Sequence, residues 1–448
     1  MKNNIKIYIS VIFLIMGMNT LHAQKISKFS LGEAQEYAIQ KSYSLQNAQI
    51  DIEIARKKVS EITSLGLPQI NASISYNNFI NIPTSLIPGE FFEQDPGTFM
   101  EVQFGTKHNA MFEASASQLI FDGSYIVGLK ASRAYLSLSE TQLLKSEIEI
   151  KESIAQAYSM VLIAEESKII IDSTLITLNQ SLYETREIYK SGFIEDIDVD
   201  QLELLVAELE TTQIKVTRSL ELAYNFLKFQ MGMEIKNVII LTDDLNDLLS
   251  MVDPDKLLNT AFDYNSNVDY RMLKNQERLA YLQLKLEKAA YLPNIVSFLT
   301  FQENAQRTDF NFTDGNEPWF KTSFFGLQMN IPVFSSGSRS SKVKQAQLKI
   351  DKLKVADQQL REGLELELTT ARVDFYNAFL IHKNKVKSLS IAKKIYQKTT
   401  EKYKEGISSS LDLSQSYNQF LDSEAKYIES IKELLGAKIK LNKILSKI

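Results

Sequence analysis

Carboxylates are concentrated at two places where a glycine interrupts a long helical pattern. The first group follows Gly192 and includes Glu195, Asp196 and Asp198. In the second, Asp412 follows Gly406 at the same six-residue spacing that separates Asp198 from Gly192. Converging carboxylates attract cations, whereas acidic residues at a helix N-terminus also complement the helix macrodipole. Both interpretations remain open for both groups.

Other residue types that carry chemistry are sparse. The chain has no cysteine, which excludes a disulfide framework and a thiolate metal site. Beyond the N-terminal leader the histidines are His108 and His382, whose spacing matches no metal motif. No phosphate-binding Gly-rich loop, Ser-x-x-Lys or Gly-x-Ser-x-Gly pattern occurs. We therefore expect no enzyme activity, no metal site and no cofactor.

Residues 1–23 have the pattern of a secretory signal peptide. Lys2 and Lys6 precede an apolar run, and Leu21-His22-Ala23 is a small-residue cleavage site. No other stretch reaches the ~18–20 uninterrupted apolar residues of a transmembrane helix, so we expect an exported chain that enters a membrane only through β-strands. The net charge is −5 and becomes more negative without the leader, which argues against binding of nucleic acid.

The chain contains an internal duplication. The segment Gly66-Leu67-Pro68-Gln69-Ile70 returns as Tyr291-Leu292-Pro293-Asn294-Ile295. Equivalent residues of the two copies are 225 positions apart at the prolines and 213 or 214 positions apart further along the chain. One loop of the first copy is therefore longer by about a dozen residues. We predict a signal peptide, a first repeat, an equatorial linker and a second repeat over residues 1–23, 24–231, 232–254 and 255–448.

Each repeat is predicted to contain helix, strand, strand, helix and helix in that order. Ile70, Ala72, Ile74 and Tyr76 alternate with polar residues, which predicts an amphipathic strand. A long segment without proline, from Ser124 to Lys190, predicts a helix of ~100 Å. The remaining predicted helices are 31–65, 199–227, 254–291, 341–404 and 411–445. The remaining predicted strands are 108–121, one after Pro293 and one from 325 to 331, with residues 81–106 and 303–319 as loops.

Four amphipathic strands are too few to close a barrel, and open sheet edges are not tolerated in lipid. We therefore predict a cyclic oligomer in which each chain contributes one set of strands.

Taken together, these features resemble the TolC family of outer-membrane efflux proteins over essentially the whole mature chain. The matching segments are Leu67-Pro68-Gln69-Ile70, Gln118-Leu119-Ile120-Phe121-Asp122, Ile331-Pro332-Val333-Phe334 with Gly337, Lys342-Val343-Lys344-Gln345-Ala346, and the two glycine-containing tips. The resemblance implies a mainly α fold with a membrane β-barrel portion, built as a homotrimer with a 12-stranded β-barrel and a 12-helix α-barrel tunnel. It also implies a periplasmic adaptor (membrane fusion) protein and an inner-membrane pump as partners.

The same resemblance implies roles for residues at the tips, where the helical hairpins of such proteins close the periplasmic entrance. Asp412 would lie in the tightest constriction, and Asp198 and Tyr403 would link neighbouring helices. The turns and adaptor-docking residues would be Gly192, Gly406, Glu195 and Asp196. The chain departs from the best-known member at Gln415, where that protein has a second aspartate, and at Ser408, where it has a basic residue.

Aromatic residues border the predicted strands. Phe79, Phe121, Trp319 and Phe334 fit a membrane-interface girdle, and packing within loops is the alternative. The predicted function is a passive outer-membrane duct that spans into the periplasm of a Gram-negative bacterium and releases drugs or metals from a tripartite efflux system. Alternatives are the duct of a type I protein secretion system, a periplasmic coiled-coil adaptor without a pore, and a secreted enzyme.

Overall fold

The computed structural model describes residues 27–250 and 252–448, so the predicted signal peptide lies outside it. The chain divides into two compact units. The described residues up to 50 belong to the first unit together with 141–271 and 358–448, and the second unit comprises 51–140 and 272–357. Within the described ranges, every helix is too short or too polar to cross a membrane.

Helices predominate, and the two longest confirm the prediction made from the absence of proline. Gly123–Lys190 and Ser338–Lys404 contain 68 and 67 residues. In chain order the α-helices are α1 Leu31–Lys41, α2 Tyr43–Ser64, α3 Gly123–Lys190, α4 Asp196–Gln230, α5 Leu245–Ser250, α6 Pro254–Leu258, α7 Val268–Ala289, α8 Ser338–Lys404 and α9 Ser410–Ile444.

Two predicted helices are interrupted, because side chains hydrogen-bond to the backbone and compete with the helix locally. The helix predicted over 31–65 breaks at Ser42, which has extended backbone angles and accepts a hydrogen bond on Oγ from the Leu45 amide (3.4 Å). The helix predicted over 254–291 breaks before α7. There Asn267 Oδ1 accepts from the amides of Asp269 (3.0 Å) and Tyr270 (3.2 Å), so a new helix begins after Asn267.

Within residues 27–250 and 252–448 the strands form three small sheets. Their bounds are β1 Ser27–Phe29, β2 Gln69–Asn78, β3 Thr84–Pro88, β4 Phe99–Gln103, β5 His108–Asp122, β6 Ile239–Leu241, β7 Asn294–Arg307 and β8 Phe320–Asn330. In the first unit, β1 pairs in parallel with β6. In the second unit, β2, β5, β7 and β8 form one antiparallel sheet in that order. Each repeat therefore supplies two adjacent strands of this sheet between its shorter helices and its long helix, as predicted, whereas β1, β3 and β4 were not predicted.

The segment predicted as a loop over 81–106 contains an additional hairpin. Strands β3 and β4 pair in antiparallel register, with a short 3-10 helix at Gly89–Phe92. The prolines and glycines of this segment are read as strand breakers, but Pro88 is the last residue of β3, where a missing amide is tolerated. The predicted loop 303–319 is likewise shorter, because β7 continues to Arg307.

In the β2–β5 part of the four-stranded sheet one face is apolar and the other is polar, as the alternation in β2 predicts. The register pairs Ile74 with Phe112 on the apolar face and Ser73 with Glu113 on the polar face. Glu113 in turn accepts a hydrogen bond from Gln302 Nε2 (2.8 Å). The apolar face is unprotected within the chain, since the Ile74 side chain is 82% exposed. Strands β2 and β8 each have one unpaired edge in this sheet.

Candidate functional site

Each long helix of the first unit ends at a glycine in the left-handed conformation. Gly192 has φ 79° and Gly406 has φ 73°. In both places the amide after the glycine donates to a carbonyl five residues earlier, from Phe193 to Ile188 (3.3 Å) and from Ile407 to Lys402 (2.8 Å). This is the Schellman arrangement that satisfies the last carbonyls of a helix. A Cβ at either glycine would meet open space, so backbone conformation alone requires glycine there.

Asp412 caps the N-terminus of α9. Its Oδ2 accepts hydrogen bonds from the Ser409 amide (3.1 Å) and hydroxyl (2.8 Å), and the Asp412 amide donates to Ser409 Oγ (3.1 Å). This reciprocal pair is a capping box. The Ser409 hydrogen bonds lower the pKa of Asp412, so the exposed carboxylate is ionised. The Ser408 hydroxyl also donates to this carboxylate (3.3 Å).

Asp198 joins the start of α4 to the start of α9. Its Oδ2 accepts from the Glu195 amide (3.3 Å), and its Oδ1 accepts a short hydrogen bond from the Ser410 hydroxyl. Ser410 Oγ also lies 3.0 Å from Gln201 Oε1 and is buried. Asp198 therefore contacts the second hairpin through a serine, whereas Glu195 and Asp196 are exposed in the first turn of the tip.

Tyr403 joins the ends of the two long helices. Its hydroxyl lies 3.0 Å from the hydroxyl of Thr185, and Thr185 is completely buried. Burial raises the pKa of Tyr403, so the hydroxyl remains protonated and able to donate. At the adjacent position on each helix, Lys404 Nζ and Glu184 Oε2 form an ion pair at 3.0 Å. Direct links between the two hairpins of one chain therefore include Asp198–Ser410, Gln201–Ser410, Thr185–Tyr403 and Glu184–Lys404.

Both tips expose apolar side chains at equivalent positions of the duplication. Phe193 and Ile407, each directly after its glycine, are 83% and 70% exposed. Ile197 and Leu411, in the first turn of α4 and α9, are also exposed. Exposed apolar side chains that lie together can mark a protein-docking surface.

The sequence-predicted residues are brought together only in part. Asp198 and Asp412 cap two different helices, and their nearest connection runs through the consecutive residues Ser409 and Ser410. The serines were not singled out from the sequence, although Ser409-x-x-Asp412 is a recognisable capping-box pattern. Thr185 has no such local signal, because its partner is 218 residues away.

The four predicted girdle aromatics lie at the two ends of the sheet in the second unit. Phe79 follows β2 and Trp319 precedes β8, at the end where Asn78 pairs with His108. Phe121 and Phe334 lie at the opposite end, where β5 and β8 lead into α3 and α8. A β-bulge after Leu119 turns Phe121 onto the apolar face, since its register partner is Ile295.

The histidines have hydrogen-bond partners. His108 Nδ1 lies 2.8 Å from the Tyr76 hydroxyl, and His382 Nδ1 lies 3.1 Å from Ser430 Oγ. In the residues that the structure describes, no three His, Asp or Glu side chains are grouped as metal ligands would be.

Known proteins share this architecture. A family profile described as "Outer membrane efflux protein" matches residues 265–447. The proteases secretion protein PrtF of Dickeya chrysanthemi is 20% identical over 193 residues, which are 43% of this chain and 41% of PrtF. The matched segment therefore spans about two fifths of that relative's length.

Two solved structures illustrate the similarity of fold. The outer membrane protein VceC of Vibrio cholerae has a TM-score of 0.67 at 15% identity, with 93% of this chain and 95% of VceC covered. The CmeC outer membrane channel of Campylobacter jejuni has a TM-score of 0.68 at 17% identity, with 93% and 85% covered. At these identities the similarity shows the fold alone.

Proposed function

We propose that the chain is an outer membrane efflux protein, as the family profile matched over residues 265–447 supports, and that it forms the outer-membrane channel-tunnel of a tripartite efflux system. In this proposal three copies assemble around one axis. Each copy supplies its four-stranded sheet to a 12-stranded barrel and its helices to a 12-helix periplasmic tunnel. Drugs or metal ions delivered by an inner-membrane pump would leave the cell through it.

The observation that carries the proposal is the four-stranded sheet. Its exposed apolar face and the unpaired edges of β2 and β8 would be unstable in water and in lipid alike. Pairing of β8 in one copy with β2 in the next removes both edges and turns the apolar face to lipid. The 11 residues of β8 span ~36 Å, which at a tilt of ~40° gives ~28 Å, close to the apolar band of outer-membrane barrels.

The aromatic positions support the same arrangement. Phe79 and Trp319 would lie at one membrane interface, and Phe121 and Phe334 at the other. Between them the strand faces alternate between lipid and a polar interior that contains Glu113 and Gln302. Such girdles are a common feature of outer-membrane barrels.

The hairpin tips are proposed to form the periplasmic entrance. Asp412 from three copies would form an acidic ring that attracts cations. The Asp198–Ser410 and Thr185–Tyr403 links would hold the two hairpins of each chain together in the closed state. The turns at Gly192 and Gly406, with the acidic and exposed apolar residues beside them, would receive a periplasmic adaptor protein.

A planar-bilayer recording tests the proposal. The protein purified from outer membranes should give a small, cation-selective conductance that divalent cations block, and it should migrate as a heat-modifiable trimer. A stable oligomer without conductance, even after the tip links are removed, would favour a periplasmic adaptor without a pore.

A second candidate function is the duct of a protein secretion system. The match to PrtF, whose name describes protease secretion, favours it. Deletion of the gene separates the two functions. Increased sensitivity to toxic small molecules with an unchanged set of secreted proteins supports efflux, and loss of one or more secreted proteins with unchanged sensitivity supports secretion.

A further inference from the structure

A buried glutamate interrupts the apolar surface of α9. Glu424 lies between Phe420 and Tyr427 at the 3- and 4-residue spacing of the helix-packing positions. It is only 7% exposed. Within 27–250 and 252–448 its carboxylate has neither a hydrogen-bond nor an ion-pair partner. A buried carboxylate without a partner is strongly disfavoured in its charged form.

Glu424 borders a cavity of about 420 Å³ between α3, α4 and α9. Most of the lining is aliphatic, and it includes Leu205, Leu209, Ile170, Ile171, Leu421 and Ile428. A second carboxylate, Glu208, lies in the same wall. Tyr417 is also a lining residue, and its hydroxyl is buried without a hydrogen-bond partner. Small-molecule sites have this composition, with a mainly apolar wall and a few polar groups.

The charged groups around Glu424 leave a negative balance. The titratable groups that face it from the packed helices are Glu166 on α3, Glu208 on α4, Lys393 and Tyr396 on α8, and Tyr417 and Tyr427 on α9. Burial raises the pKa of Glu424 to about 7, Lys393 lowers it and Glu166 raises it further. Lys393 lies beside a separate cavity of about 720 Å³ that Glu424 also borders. One lysine therefore faces three carboxylates.

We propose that the cavity between α3, α4 and α9 binds an apolar amine in its ammonium form. The ammonium N–H groups would donate to the carboxylate of Glu424, and the apolar body would pack against the leucines and isoleucines. Glu208 would contribute a second negative charge. A buried polar residue also fixes the register of packed helices, but that role leaves the cavity beside Glu424 unexplained. The site does not depend on the channel function proposed above.

Two probes of nearly equal shape test the proposal. 1-Adamantylamine carries an ammonium group, whereas 1-adamantanol is neutral, and both are small enough for the cavity. Binding to the detergent-solubilised full-length oligomer is measured by calorimetry at about pH 8. We expect Glu424→Gln to weaken amine binding by about tenfold or more and to leave alcohol binding unchanged. Glu429→Gln removes an exposed carboxylate of the same helix, and it should alter neither.

A pH series and a cavity-filling variant sharpen the test. The amine stays protonated between about pH 5.5 and 8, so a change in its affinity over this range reports on the protein carboxylate. Affinity of the wild type should fall about tenfold on acidification, and that of Glu424→Gln should not change. Ala425→Trp, which places an indole in the cavity, should weaken both probes while the oligomeric state is unchanged.

Three results would overturn the proposal. The first is absence of amine binding to the wild-type oligomer at millimolar concentration, as expected if a neighbouring copy or detergent fills the cavity. The second is equal affinity for amine and alcohol, which would leave the carboxylate without a role. The third is amine binding that neither Glu424→Gln nor Ala425→Trp weakens, which would place the amine elsewhere.

Discussion

Replacing Glu424 by glutamine should stabilise the protein at alkaline pH and not at acidic pH. The substitution keeps the size of the side chain and removes its charge. In the wild type, burial holds the pKa of Glu424 at about 7, whereas an unfolded glutamate titrates near ~4.3. The native state therefore binds this proton more tightly than the unfolded state does.

The size and sign of the effect follow from linkage. The rise in the pKa of Glu424 from its ordinary value of 4.5 to about 7 corresponds to about 3 kcal/mol, since each pKa unit is worth ~1.36 kcal/mol. Below the unfolded pKa both states are protonated and the group contributes nothing. As the pH rises from ~4.5 to ~7 the wild type loses this free energy of unfolding, and above ~7 the loss is complete. Glutamine has no such loss.

Guanidinium unfolding of the detergent-solubilised protein at about pH 5 and about pH 8.5 measures this difference. The unfolding midpoint of Glu424→Gln should exceed that of the wild type clearly at the higher pH and only slightly at the lower. Glu429→Gln, on the exposed side of α9, should show no pH-dependent difference. The same difference at both pH values for Glu424→Gln would refute the reasoning, because it would mean that the carboxylate is charged and paired in the assembled protein.

The other predictions concern the hairpin tips. Tyr403→Phe leaves the buried Thr185 hydroxyl unpaired, which should lower the free energy of unfolding by about 1–2 kcal/mol. The double variant Tyr403→Phe/Ser410→Ala should raise single-channel conductance, because it loosens the closed entrance. Unchanged conductance in the double variant would show that these links do not control gating. Asp412→Asn should abolish block by divalent cations, because it removes the charge but keeps an amide oxygen for the helix cap. Asp412→Ala should abolish the block and also lower the free energy of unfolding by about 1 kcal/mol. Unaltered block in both variants would exclude Asp412 from the constriction. Valine at Gly192 and Gly406 should reduce trimer yield and export, because a β-branched residue is strained at positive φ. Asparagine at both positions should be tolerated better. Wild-type yield and export with valine at both positions would contradict this prediction.

The sheet and the long helices could be predicted from the sequence because each rests on a regular period. Ile70, Ala72 and Ile74 alternate with polar residues, and the two-residue period allows only one assignment of faces. The interruptions at Ser42 and Asn267 were missed because each depends on one side chain that bonds to nearby amides. Such a bond competes with a helix without changing its apolar pattern.

The positions of the tip residues could be predicted from the sequence, but the residues that they contact could not. Gly192 and Gly406 stand out in the sequence because each breaks a helical pattern at an equivalent place. Ser410 does not, since the carboxylate it contacts lies 212 residues away, and the sequence carries no local record of that contact. Glu424 is visible as a gap in the apolar positions of α9, but the cavity beside it is formed by three helices and cannot be read from one.

The pairing of β5 with β7 has a consequence for the order of folding. These two central strands belong to different copies of the duplication, and paired residues such as Glu113 and Gln302 are 189 positions apart. Of this four-stranded sheet, the first copy alone can form only the β2–β5 pair, whose β5 edge remains unpaired until the second copy has emerged from the export machinery. Strand pairing over such a separation is slow, and an open edge attracts other chains. A chain that stops before β7 is therefore expected to aggregate rather than to fold as a half-sized protein. A fusion of two first copies would lack β7, and it could form the sheet only if the two β5 strands paired with each other.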